Sequence, residues 1–427
     1  MITRKRLTVW GIGLLGLTWF IYLHTMMVPG LIDRAGRFKG TDYIQFYVMG
    51  SLLVDGRTGA LYDGRAHLDE GRRRIDPALT LYASHPNYGP QIALLFAPLA
   101  LLPFGWSLAL FLSIMSLCYG ISVWLVWRHC EGLWNHGGLV AVLAAGSPLF
   151  FTMVLYGQLS AIALLFWSVG FAAMRRNRPF CAGLALGCLI YKPPLGVVFG
   201  LVFLLSGQWR LVAGALAAVA AQLVAALLVA GVNPIAQYAH VLWTLLLNPQ
   251  LVEVFPTELH SLRGFFQLLI PSPAAVGVCF ALALVCVLMV ALRSWHSGAP
   301  VALRWSELVL LTVLASPHLL AYDLVVLTLP LLLFADWAVR HQDHPLRPAV
   351  NLLLVLVYFA PFSGILARLT HVQLSVAVMA ILAWRMYLVC EGENRAVRPA
   401  EAGCHGCPAK AGLYKSETAS LAIVAPR

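Results

Sequence analysis

The sequence predicts an all-α, polytopic integral membrane protein, and three observations carry that prediction. Hydrophobic residues make up 60% of the 427-residue chain and charged residues only 11%, against roughly 25% charged in soluble domains. Mean hydropathy is +0.80. Runs of about 20 apolar residues, long enough to cross a hydrocarbon core of about 30 Å, recur from one end to the other.

The net charge of +11 is an orientation signal rather than a nucleic-acid footprint. Basic residues cluster between apolar runs: Arg4, Lys5 and Arg6; Arg175, Arg176 and Arg178; Arg293 and Arg304; Arg340 and Arg347. No continuous basic stripe accompanies them, so nucleic acid is not an expected partner. Placing the clusters in the cytoplasm puts both termini inside and Asp42 outside. The predicted spans are 8–29, 104–127, 137–155, 158–174, 210–231, 271–292, 305–317, 322–339, 348–364 and 372–390. The first is too long for a signal-peptide apolar region and lacks a small-residue cleavage site, so it is read as retained. Two shorter arms, 179–191 and 195–207, flank "YKPPLG" and make the total about ten or about twelve crossings. "QIALLFAPLALL" at 91–102 is too short to span and reads as a juxtamembrane helix at the outer interface. Outer loops are expected at 30–103 and 232–265, within one membrane domain over 1–390, and 391–427 is expected to be a disordered cytoplasmic tail.

This layout limits the chemistry. No cytoplasmic loop is long enough for a nucleotide-binding fold, and no G-x-x-x-x-G-K-[ST] loop occurs. An enzyme built this way faces outward and needs an activated substrate carried by the membrane itself. No cofactor and no metal are implied. The nine cysteines avoid both outer loops, so no structural disulfide is expected there; "CHGC" at 404–407 lacks a second ligand pair for zinc.

Polar residues that interrupt the apolar pattern are the candidates. Asp42 opens "DYIQFY", where Tyr43, Phe46 and Tyr47 share a helical face. The plainer reading makes Asp42 an N-cap paired with Gln45 in a capping box. Lys192 lies between two shortened arms, where a buried ammonium is costly and a phosphate is a natural partner; snorkelling to the interface is the alternative. "SPHLLAYD" offers His318 and Asp323, or simply a polar turn. "HSLRG" offers Arg263, suited to bidentate phosphate binding. "LYGQLS" offers Gln158, a sugar contact or a turn residue. Arg72, Arg73 and Arg74 read as a solvated charged face, or as a contact for anionic lipid.

The succession "LYD", "YGPQIALLFAPLALLPFGWSLALF", "LYGQLSAIALLFW", "AGLALGCLIYKPPLG", "HSLRG" and "SPHLLAYDLVVLTLPLLLF" resembles glycosyltransferase family 87, over roughly 40–335. One departure is "NYGPQ", where family members commonly carry Pro-Pro. The resemblance implies the GT-C fold, a polyprenyl-phosphate sugar donor such as polyprenyl-phosphomannose, an outer-face site in the cell (inner) membrane, and inversion at the anomeric carbon. It matches Asp42 to the family's acidic loop residue and His318 to its late histidine. In that scheme Asp42 is the catalytic base, His318 assists as a third cation beside Lys192 and Arg263, which bind the donor phosphate, and Tyr43, Gln158 and Asp323 contact substrate. The acceptor is a lipid or a glycan. A transporter or flippase of lipid-linked sugars is the competing reading.

Overall fold

The computed structural model describes residues 4–80, 87–248, 251 and 255–402. Among them every regular element is helical: α1 (Arg4–Met26), α2 (Tyr43–Val54), α3 (Gly64–Arg74), α4 (Gln91–Ala100), α5 (Phe104–Trp127), α6 (Gly137–Ala145), α7 (Pro148–Tyr156), α8 (Ser160–Arg175), α9 (Pro179–Gly187) and α10 (Val197–Leu205). The second half adds α11 (Trp209–Ala230), α12 (Val232–Leu247), α13 (Leu262–Leu269), α14 (Pro273–His296), α15 (Val301–Ala315), α16 (Thr328–Arg340), α17 (Arg347–Tyr358), α18 (Ser363–Thr370) and α19 (Leu374–Ala402). The chain is an all-α, multi-pass membrane protein.

Seven described helical segments are long and apolar enough to cross a bilayer, or eight with α17 and α18 counted together. The sequence pattern led to ten or twelve. The difference lies in helices that stop short. α8 has 16 residues and α15 has 15; α9 and α10 have nine each, separated by two 3-10 turns, Cys188–Tyr191 and Pro193–Leu195. Irregular backbone at such depth is stable only where protein buries it or it lines a cavity. These breaks hold the residues of interest: Gln158 between α7 and α8, Lys192 between α9 and α10, and His318 and Asp323 between α15 and α16.

α12 and the start of α13 fall within the expected outer loop 232–265. Two expectations need correction. The predicted span 348–364 is broken, with α17 and the segment Ala360–Thr370 meeting at 56°. α19 continues to Ala402, so the first part of the expected tail is helical; "CHGC" lies outside the described residues.

Close packing fixes the frame. α9 meets α11 through glycines: a Cβ on Gly183 would stand 1.9 Å from the Leu211 carbonyl oxygen, and one on Gly187 would stand 2.3 Å from that of Ala215. Small residues let two membrane helices approach this closely, and Gln222 Nε2 on α11 donates to the Gly187 carbonyl of α9 at 3.2 Å. On the other side, α4 buries Ile92, Ala93, Phe96 and Ala100, packing on α2 and α11. α3 is held to α2 by charge. Glu70, buried, takes Arg57 at 3.0 Å, Arg73 at 2.6 Å and Arg74 at 2.9 Å, while Asp55 takes Arg74 at 2.6 Å and also Arg73. Arg72 donates to the Leu79 carbonyl at 3.0 Å. The three arginines therefore brace the fold rather than forming a free charged face.

Candidate active site

Two distant loops meet first. α7 ends on Gly157, whose φ of +70° suits a residue without a side chain. A Cβ there would stand 3.0 Å from Gly40 Cα. This contact lets the Asp42 N–H reach the Tyr156 carbonyl at 3.0 Å. Asp42 occupies the N-cap position of α2, yet its side chain makes no capping hydrogen bond. The capping-box reading is thereby set aside. The carboxylate instead receives the Gln158 Nε2 at 2.7 Å on Oδ2, and the Tyr322 hydroxyl lies near enough to favour its charged form.

A second cluster lies next to Tyr322. The Lys192 ammonium stands 5.7 Å from the centroid of the Tyr322 ring and pairs with Asp323 Oδ1 at 2.5 Å. Ser160 Oγ donates to the same oxygen at 2.6 Å, and the Leu320 N–H reaches Oδ2 at 3.3 Å. Asp323 is only 1% exposed and fully engaged. Its place is to anchor Lys192, so the expected substrate contact is not what this geometry provides.

His318 and Arg263 complete the cluster. The "HSLRG" and "SPHLLAYD" segments are zipped by backbone: His260 N–H donates to the Leu319 carbonyl at 2.8 Å, and Ser261 Oγ donates to the Pro317 carbonyl at 3.0 Å. Arg263 enters the first turn of α13 close enough to act electrostatically on His318. Burial first, then the neighbouring Lys192 and Arg263 cations, hold the His318 imidazole down at about 4, against the opposing pull of Asp323. His318 is thus a neutral imidazole near pH 7, and not the third cation anticipated from the sequence. Its Nδ1 is enclosed without a hydrogen-bond partner.

Tyr43 does not join this group. Its ring is 0% exposed and packs among Phe96, Phe104 and Phe111, with the hydroxyl 2.5 Å from Ser107 Oγ. A sealed, hydrogen-bonded phenol is a core group, and the predicted substrate contact falls away.

Asp42 also borders a cleft of about 300 Å³. Its walls include Tyr156, Glu258, His260, Tyr322, and the α18 face made by Gly364, Ile365 and Arg368. Glu258 and Arg368 pair at 2.5 Å at the margin, where the Arg368 side chain is 63% exposed. Lys192 and His318 do not line this cleft; Tyr322 lines it and lies next to Lys192. Desolvation raises the Asp42 carboxyl to about 6, with the nearby Asp323 pushing the same way, while the Gln158 hydrogen bond and Lys192 oppose them. A carboxylate poised near neutrality beside an open cleft suits general-base work.

Sequence reasoning missed Tyr88, Tyr191, Glu258, His260, Tyr322 and Arg368. Tyr191, His260 and Tyr322 lie inside motifs already singled out, one to three residues from the charged side chains that drew attention. Arg368 had no signal, since α18 follows the last polar motif.

A sequence profile of known families settles the relationship, because glycosyltransferase family 87 matches residues 87–317, more than half of the chain. The chain belongs to glycosyltransferase family 87. It is accordingly a multi-pass membrane glycosyltransferase. No curated protein and no solved structure matches it. The stretch matched to family 87 carries Gln158, Lys192 and Arg263, and ends one residue before His318; Asp42, Asp323 and Arg368 lie outside it.

Proposed function

We propose that the protein transfers a hexose, mannose being the leading choice, from a polyprenyl-phosphate donor to a hydroxyl of a lipid or glycan acceptor, with inversion, at the outer face of the cell (inner) membrane. The observation that supports this reading is an ionisable carboxylate, Asp42, at the cleft with the Lys192 ammonium close by, beside Tyr322. A single displacement needs both groups. The base takes the acceptor proton as oxygen attacks the anomeric carbon, and the polyprenyl phosphate leaves from the opposite face of the sugar. Asp42 fills the first role. Lys192 and Arg263 stabilise the departing phosphate, and neutral His318 donates an N–H to it. Asp323 holds Lys192 in place, leaving two ammonium protons for phosphate oxygens. The outward placement rests on the distribution of basic residues, which sets both termini in the cytoplasm.

The test is turnover in proteoliposomes supplied with polyprenyl-phosphomannose and an octyl mannoside acceptor. Asp42→Asn is expected to abolish transfer while leaving the protein folded. Because the base must be ionised and its carboxyl sits near 6, the wild-type rate should hold above pH 7 and fall roughly tenfold per unit below about 6. Lys192→Ala and Arg263→Ala should mainly weaken donor binding. Unchanged turnover in Asp42→Asn removes that residue from the mechanism. Donor crossing the bilayer with no glycoside formed makes the protein a flippase.

A further inference from the structure

Gln158 was expected to touch substrate, but its geometry assigns it elsewhere. It is 2% exposed and does not line the cleft that Asp42 borders. Its amide is oriented by partners at both ends. Nε2 donates to Asp42 Oδ2 at 2.7 Å, while Oε1 accepts from the Leu159 N–H at 3.3 Å and the Tyr88 hydroxyl at 3.4 Å. Turning the amide over would set its oxygen 2.7 Å from a carboxylate oxygen and its NH2 against two donors. Only one orientation satisfies every group.

Tyr88 is fixed in turn. Its ring takes Phe46 edge-on at 4.9 Å and lies parallel to Tyr191 at 6.4 Å, and its carbonyl accepts from the Tyr62 hydroxyl at 2.9 Å. Tyr191 directly precedes Lys192, so the same stack that backs Gln158 adjoins the backbone carrying the ammonium. We infer that Gln158, backed by Tyr88, is a positioning residue that holds the Asp42 carboxylate ionised and aimed at the cleft, and does not contact the sugar. The inference rests on the reading of Asp42 as the base.

The other groups facing Asp42 are Tyr156, Tyr322, Lys192 and Asp323, with Glu258, His260 and Arg368 around the same cleft. All remain when Gln158 is altered, so a change in Asp42 titration is attributable to the lost donor. A hydrogen bond to the charged form favours that form, so removing it shifts Asp42 toward its protonated state.

The primary experiment needs no substrate. The full chain in nanodiscs is treated with a water-soluble carbodiimide, which couples to protonated carboxyl groups, and labelling of the Asp42 peptide is followed against pH by mass spectrometry. Gln158→Met, of similar shape but without the donor, should move the labelling midpoint up by about one unit. Gln158→Glu, which sets two carboxylates side by side to share one proton, should move it further. Tyr88→Phe should produce a smaller shift of the same sign and serves as the gentlest variant. An unchanged midpoint in Tyr88→Phe and in whichever Gln158 variant folds overturns the inference. In the mannoside assay, Gln158→Met should lower kcat about 10- to 100-fold, the range for one hydrogen bond to a charged group, with both KM values within about twofold. A rise in acceptor KM at constant kcat would instead make Gln158 a substrate ligand. Loss of turnover in Asp42→Asn beside a normal Gln158→Met would sink only the positioning role; full turnover in Asp42→Asn would sink the base.

Discussion

Asp323→Asn tests the frame of the site. The carboxylate is 1% exposed and faces the Lys192 ammonium at 2.5 Å. With an effective dielectric of about 20, that separation corresponds to a gross attraction of about 7 kcal/mol, much of it offset by desolvation of both ions. The net value of the pair is therefore small, whereas breaking it is expensive because one buried charge is left without its counter-ion. Asparagine keeps the shape and one acceptor for Ser160, but not the charge. The expected cost is about 3–5 kcal/mol. Thermal unfolding of detergent-solubilised protein, followed by tryptophan fluorescence, should show Asp323→Asn and Lys192→Met each melting well below wild type. The double variant Lys192→Met, Asp323→Leu should recover most of the loss, because it removes both charges and fills the space with apolar atoms. Single variants that melt with the wild type would show that the pair does not hold the break between α9 and α10. A double variant melting as low as the worse single change would place the defect in packing rather than in charge.

Two further outcomes follow from packing. Gly183→Val cannot be accommodated beside the Leu211 carbonyl, so size-exclusion traces should show loss of monodisperse protein, while Gly200→Ala, with open space at its Cβ, should behave as wild type. Tyr43→Phe removes only the hydroxyl beside Ser107, which still donates to the Leu99 carbonyl at 2.8 Å; a loss of about 1 kcal/mol with unchanged acceptor KM is expected, whereas Tyr43→Ala should cost about 3–5 kcal/mol.

Much of the site was readable because polar groups are costly in apolar helices and so stand out where they occur. Asp42, Gln158, Lys192, His318 and Asp323 each stand out against neighbouring apolar runs, and each lies at or beside a break between helices in the fold. What linear reading could not supply was pairing. Lys192 and Asp323 lie 131 residues apart, and Gln158 and Asp42 lie 116 apart. No local pattern says that Asp323 binds a lysine rather than a sugar. Tyr43 failed for a related reason: aromatics at i, i+3 and i+4 look the same at a bilayer interface and in a core, and only the arrival of α4 and α5 decides which it is. Burial of His318, which keeps it neutral, is likewise a property of the assembled walls.

The corner at Phe359 has a consequence for how the cleft can behave. α18 presents Gly364, Ile365 and Arg368 to the opening, while Leu369 on the same short helix is 76% exposed. Asp42, by contrast, is fastened to Tyr156 and Gln158, both from another part of the chain. A substitution on the α18 face, such as Ile365→Ala, therefore alters the entrance without removing a hydrogen-bond partner of the carboxylate. Doorway and doorpost are hung on separate timbers.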